Sequence, residues 1–178
     1  TWNIQQAGLF TFPNSPKHHA LYQKFGFWQR FLTVIMAKPV QQSQPVPQVI
    51  RYSQMDREQR SSILKESLTI TDSIFAGLDL SQAIIVIETQ KIGDTVFFWD
   101  EKSLAGFAVC HCGAGTEAGS DTCYVKFGVV RSGKNVEKRF EQLLDLCETL
   151  SVQMGMSRLL AGVNTSRHEA YRRMIARG

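Results

Sequence analysis

The chain has 178 residues, 43% of them apolar and 20% charged, with a net charge of +4. That balance suits one domain with a buried core, or one domain plus a fragment. It falls well short of the basic surface of a nucleic-acid binder, no apolar run reaches membrane-spanning length, and no signal peptide is visible. The four cysteines, Cys110, Cys112, Cys123 and Cys147, lie inside apolar patterns and read as small hydrophobes rather than a secreted disulfide framework. A reduced, cytoplasmic protein is expected. Beginning at Thr1 and stopping at Gly178, the chain reads as an excised piece.

In chain order, Gly8–Phe12 predicts a short strand, and Pro13-Asn14-Ser15-Pro16 a turn that caps a helix over 16–25, closed by Gly26. Trp28–Ala37 predicts an apolar strand. Pro39–Pro47 is polar and proline-interrupted, as a linker is. Val49–Tyr52 predicts a short strand, and Ser53-x-x-Asp56 resembles a capping box before a helix over 56–68. Further helices are expected over 71–77 and 82–91, although the run Ile84 to Ile87 also suits a strand. Strands follow over 95–99, 104–112 and 122–130. Arg131–Asn135 is a basic loop. A long helix over 136–154 carries Val136, Phe140, Leu143, Leu144, Cys147 and Leu150 on one stripe and ends at Gly155. A strand over 158–163 and a helix over 166–176, with Ser166-x-x-Glu169 as a second capping box, complete the chain.

An internal repeat organises these elements. At a constant offset of 150 positions, Leu9, Asn14, Lys17, His18 and Ala20 stand against Leu159, Asn164, Arg167, His168 and Ala170. Both copies read strand, Asn, helix, glycine. The division expected is therefore 1–38 as the tail of a first repeat, 39–48 as linker, and 49–178 as a second repeat without its last strand. An unpaired edge is unfavourable, so strand 28–37 is expected to complete the second repeat's sheet, within the chain or by exchange between two copies in a homodimer. Trp28, Phe31, Val34 and Ile35 would then be buried.

The element order, with Asn14…Tyr22-Gln-Lys-Phe-Gly26-Phe27 as a late helix-to-strand motif and Leu104-Ala-Gly-Phe-Ala-Val as a middle strand, resembles the GNAT superfamily of N-acetyltransferases in tandem-repeat form. The resemblance covers nearly the whole chain as two incomplete copies. It implies an α/β fold with a central mixed sheet flanked by helices. It also implies direct attack by an amine, from a small molecule or a peptide, on the thioester of acetyl-CoA, with no nucleic acid or membrane involved. Strand N–H groups near Val129, Val130 and Arg131 would hold the acyl carbonyl. The loop and first helical turn, with Gly133, Lys134, Asn135, Val136 and Lys138, would hold the pyrophosphate. Asn164 would face the pantetheine arm, and a late-helix tyrosine, here Tyr171, would protonate the leaving thiolate.

The loop departs from the family's pattern of Gln or Arg, two residues, Gly, one residue, then Gly or Ala. In one register the glycine positions hold Lys134 and Val136, in the other Lys138 and Phe140. Lys134, Lys138 and Arg139 either supply charge in compensation or form a solvated face paired with Glu137 and Glu141. In the late helix, Met174 stands at the tyrosine position. Two functions are therefore weighed, an acyl-CoA-dependent N-acetyltransferase and a non-catalytic repeat that partners an active one. Elsewhere, Cys110-His111-Cys112 with Cys123 invites a zinc reading, which strand alternation opposes by turning His111 to the other face. His18, His19 and His168 read as capping or solvated. Asp94, Asp100, Glu101 and Glu117 are candidate general bases that nothing ranks.

Overall fold

The computed structural model describes residues 7–11, 13–40, 49–101 and 103–178. Helix α1 (Pro16–Lys24) and strand β1 (Thr33–Pro39) come first, then β2 (Ile50–Arg51), a single 3-10 turn, helices α2 (Arg57–Ile74) and α3 (Ser81–Thr89), and strands β3 (Gly93–Asp100), β4 (Ser103–Cys112) and β5 (Thr122–Val130). Helix α4 (Val136–Gln153), strand β6 (Arg158–Asn164) and helix α5 (His168–Ala176) complete the chain. The fold is α/β, with one open mixed sheet in the order β1-β6-β5-β4-β3-β2. Every neighbouring pair is antiparallel except β5 and β6. That parallel pair is joined by the crossover helix α4, as parallel neighbours require.

The near-continuous apolar runs of β3 and β4 reflect burial on both faces. Val96, Phe98, Ala108, Cys110 and Cys123 pack under Leu143, Leu146, Cys147 and Leu150 of α4. Phe97, Phe107, Val109 and Val129 pack under Ile63 and Ile70 of α2 and Ile84 and Ile87 of α3. Ile84 and Ile87 recur at helical spacing and both point inward, so helix wins over strand in that run.

Several boundaries differ from expectation. Helix α2 runs unbroken where two helices were expected. The β-branched stretch around Thr69–Thr71 stays helical because Ile70 is buried and the hydroxyls of Thr69 and Thr71 donate to the carbonyls of Lys65 and Leu68. Its cap is Asp56 rather than Ser53. The Asp56 carboxylate accepts from Gln59 N at 2.8 Å, and the Gln59 side chain accepts from Asp56 N at 3.0 Å. Ser166 does not cap α5, whose N-terminal flank is Arg167; Asn164 Oδ1 instead accepts from Ser166 N and Oγ. Residues 8–11 are not a strand, and Phe12 lies outside the described residues, as does nearly all of the expected linker.

Strand β1 joins the sheet built by residues 49–178, pairing antiparallel with β6 from Thr33↔Asn164 to Pro39↔Arg158. It starts at Thr33 rather than Trp28 because β6 ends at Asn164, leaving earlier residues no partner beyond Thr165, whose N–H and hydroxyl donate to Leu32 O. The expected burial fails with it. Trp28 is 75% exposed, Phe31 61% and Ile35 40%, and of the four residues only Val34 is half-buried without being exposed.

Glu137 and Glu141 on α4 do not pair with their helix neighbours. They reach across to α5, where Arg173 bonds both, and Arg177 bonds Glu141 at 2.8 Å, Asp145 at 2.5 Å and Glu148 at 2.8 Å. Burial pushes the Glu141 carboxyl up, but the bonds from Arg177 and Arg173 outweigh it and hold it below the ordinary value. A carboxyl lowered on folding stabilises above its unfolded pKa and loses that contribution as pH falls through the folded value. We expect acid titration monitored by circular dichroism to show less loss of stability below about pH 4.3 in Glu141→Gln than in the parent chain.

Candidate functional site

Strands β5 and β6 run side by side only from Thr122↔Arg158 to Val125↔Ala161. Both continue, β5 to Val130 and β6 to Asn164, without pairing. The parting begins at a bulge. On the β4 side Val109 faces Phe127 and Cys110 faces Val125, so Lys126 is the extra residue. Such a bulge bends its strand and sharpens its twist, which carries the end of β5 away from β6. The result is a cleft of about 690 Å³ between the two strand ends, floored by Phe140, Leu143, Leu144 and Cys147 of α4 and bordered by Ala170, Arg173 and Met174 of α5. Its size and mostly apolar wall suit a small-molecule ligand.

The ladder with β4 decides which β5 backbone groups reach the cleft. Arg131 N donates to Ala105 O at 2.7 Å, which makes Val130↔Gly106 a non-hydrogen-bonded pair in that ladder. With period two, Gly128↔Ala108 is another. The N–H and C=O of Gly128 and Val130 therefore point away from β4, toward the edge that β6 has left. Val129 turns both of its groups to β4, and Arg131 its N–H. Gly128 also has no side chain, so its backbone lies open to the cleft. Reading the strand as a strand missed Gly128. The available signal was a glycine inside an apolar run, which marks close approach of backbone or ligand.

The family-implied residues fall into three places. Val129, Val130, Val136 and Asn164 line the cleft. Gly133, Lys134, Asn135 and Lys138 sit on the loop and first turn of α4 beside its mouth, where Ser132 lines the wall. Gly133 at φ +110° and Asn135 at φ +66° shape that loop, Val136 N donates to Gly133 O at 3.3 Å, and no side chain caps the helix. Lys134 and Lys138 are exposed and form no ion pair among the described residues. Arg139 is committed elsewhere, with Nη2 and Nε at 2.7 and 3.1 Å from Asp100 Oδ2 and Nη1 donating to Arg131 O at 3.1 Å. Arg131 and Tyr171 do not line the cleft; from α5 it is Glu169, Ala170, Arg173 and Met174 that do. Asn164 has its side-chain oxygen engaged by Ser166.

At the inner end, Tyr124, Lys126 and Glu117 meet. Glu117 Oε1 lies 2.6 Å from Lys126 Nζ and 3.1 Å from His111 Nδ1, the latter outside hydrogen-bond geometry. Burial lowers the His111 pKa, and Glu117 pulls it back up. Among the candidate bases only Glu117 reaches the cleft. Asp94 is buried against Ser53 and Thr95, and Asp100 is held by Arg139. Removing the Glu117 charge removes the upward pull, so a Glu117→Gln chain is expected to titrate His111 at lower pH still, as read from imidazole carbon-bound proton shifts; an unchanged or raised midpoint would break this pairing.

Cys110 and Cys112 share the α4 face with Cys123 and Cys147, His111 stands on the other, and the described residues contain no metal-holding cluster. No helix among them is long and apolar enough to cross a membrane. No protein-family model matches the chain, and no curated protein sequence matches it.

Proposed function

We propose that this chain is a GNAT-like repeat whose β5–β6 cleft takes an acyl-CoA, with the acyl end toward Lys126 and Tyr124 and the phosphates at the start of α4. The parting of two parallel strands, which leaves the Gly128 and Val130 backbone groups facing an apolar cleft, carries this reading. A thioester carbonyl placed there accepts from a strand N–H, and the uncapped first turn of α4 with Gly133, Lys134, Asn135 and Lys138 offers N–H groups and positive charge to phosphate. The thioester would supply an acetyl group for transfer to an amine. Glu117 is the carboxylate placed to accept the amine's proton.

A second reading, a ligand-binding repeat without turnover, is favoured by one observation. Tyr171 lies outside the cleft, so the expected proton donor for a departing thiolate is not in place. Isothermal titration of acetyl-CoA onto the chain tests what both readings share. Saturable binding in the micromolar range is expected. No saturable heat at millimolar ligand would reject both. Where binding is found, release of free CoA with an amine present separates them.

A further inference from the structure

The four cysteines converge on one place in the core, but only two of them oppose each other across a strand pair. Cys112 of β4 faces Cys123 of β5 in register, and their Sγ atoms are 3.5 Å apart, with Cys112 donating to Cys123. The next pair along is bonded, with Gly113 N donating to Thr122 O at 3.0 Å. Cys112↔Cys123 is therefore a non-hydrogen-bonded pair, the type in which Cα atoms approach to about 4.5 Å. That separation lies inside the range a disulfide bridges, and closing the sulfurs to about 2.05 Å requires only side-chain rotation. Cys110 differs. It faces Val125, not a cysteine, and is fully buried, while Cys147 reaches the group from α4.

Access is graded across the pair. Cys123 is fully buried, whereas Cys112 is half-buried at the end of β4, beside the loop over 113–121. Three glycines in that loop, Gly113, Gly115 and Gly119, take positive φ. A small oxidant therefore meets Cys112 first and finds Cys123 directly behind it.

We propose that Cys112 and Cys123 form a redox modification site that low-molecular-weight disulfides convert into a cross-strand disulfide. The Cys112 thiol loses its proton to solvent, and its sulfur attacks one sulfur of the oxidant RSSR. The S–S bond of the oxidant breaks, one RS⁻ leaves, and a mixed disulfide forms on Cys112. Deprotonated Cys123 then attacks Cys112 Sγ, expelling the second RS⁻ as the protein disulfide forms. The two thiolates released take up the two protons. Two cysteine thiols are oxidised and one oxidant molecule is reduced to two RSH. In the reduced chain the hydrogen bonds from Cys110 and Cys112 hold Cys123 below the ordinary thiol value against burial, while the bond to Cys123 and burial hold Cys112 above it, so the first attack is the slow step. Once Cys112 carries the mixed disulfide, Cys110 remains as the donor to Cys123. The bridge would close the loop that carries Glu117, at the inner end of the cleft.

The test uses the whole chain, folded, with oxidised glutathione as the probe. After acid quenching and alkylation, cleavage after Glu117 separates Cys112 from Cys123. The expected product has lost about 2 Da, corresponding to two hydrogens, and joins the peptides on either side of Glu117. Fragmentation places the link on Cys112. The link should persist in Cys110→Ala. In Cys123→Ala the Cys112–glutathione adduct should accumulate instead. Four free thiols after this treatment, a link through Cys110 or Cys147, or a link that forms only in guanidinium would each overturn the proposal. The mapping on the unsubstituted chain decides the matter even if a variant does not fold.

Discussion

A Gly128→Trp chain should fold normally and bind acetyl-CoA at least about tenfold more weakly, a loss of about 1.4 kcal/mol or more. Gly128 sits where β5 has lost its β6 neighbour, with ordinary backbone angles and its α-carbon exposed. A Cβ built there meets Leu143 Cδ2 at 3.4 Å and Val125 Cγ1 at 3.5 Å, ordinary to slightly tight contacts that a side chain accommodates. The strand ladder is untouched, because the Gly128 N–H is not used toward β4. An indole then occupies the cleft wall and covers the backbone groups a thioester would meet. Titration calorimetry with acetyl-CoA measures the loss, and thermal melting checks that the fold is intact. Unchanged affinity in a folded Gly128→Trp chain would place the ligand elsewhere.

Gly93→Ala should be the more damaging change to the fold. Gly93 begins β3 at φ +156°, and a Cβ there would lie 1.9 Å from Cys110 O and 2.9 Å from Cys110 C. Both atoms are backbone in the middle of the sheet, so no side chain can swing aside. The pairing Gly93↔His111 must open, and with it the bond from Cys112 N to Ile92 O. Asp94, which bonds Ser53 N and Oγ, is the next residue along and would be pulled with it. Overpacking of this kind destabilises by about 2–4 kcal/mol, which for a chain of this size lowers Tm by about 5–15 °C. Calorimetric melting checks it. A Gly93→Ala chain that melts within a degree of the parent would show that β3 and β4 are less tightly joined than their register requires.

Much of the sheet is legible in the sequence because its strands follow simple rules. Strands β3 to β6 and helix α4 stand out through apolar runs and one apolar stripe, and a conformationally demanding glycine marks the end of α4. Gly155 takes φ +73°, and Met156 N closes back onto Ser151 O. The failures have a common cause, which is that edges and caps depend on partners sequence does not display. Trp28 and Phe31 read as strand and core because they are apolar, but β6 is too short to pair with them. Ser166 has the spacing of a cap, yet its N–H and hydroxyl are drawn back to Asn164. Arg139 looks available for phosphate until Asp100, on the strand at the far side of the loop, takes it.

The candidate site divides in the same way. Its location follows from the order strand, loop, helix, strand, which places β5, the start of α4 and β6 around one opening. Its donors do not follow, because they depend on ladder phase. One bulge residue, Lys126, sets which of Gly128, Val129, Val130 and Arg131 face the cleft, and no periodicity in the sequence records that phase. Tyr171 illustrates the corresponding limit on helices. It shares α5 with residues that line the cleft, but Glu169, Ala170, Arg173 and Met174 are the ones on the lining side.

Whether the parted ends of β5 and β6 hold an acyl-CoA is read from a titration of the isotope-labelled chain with acetyl-CoA, followed by amide nitrogen–proton correlation spectra. Saturable shifts are expected at Gly128 and Val130, at Gly133 to Lys138, and at Ala161 to Asn164, with β2 and β3 unmoved. No saturable shifts at millimolar acetyl-CoA, or saturable shifts confined to residues outside that cleft, would contradict the proposal.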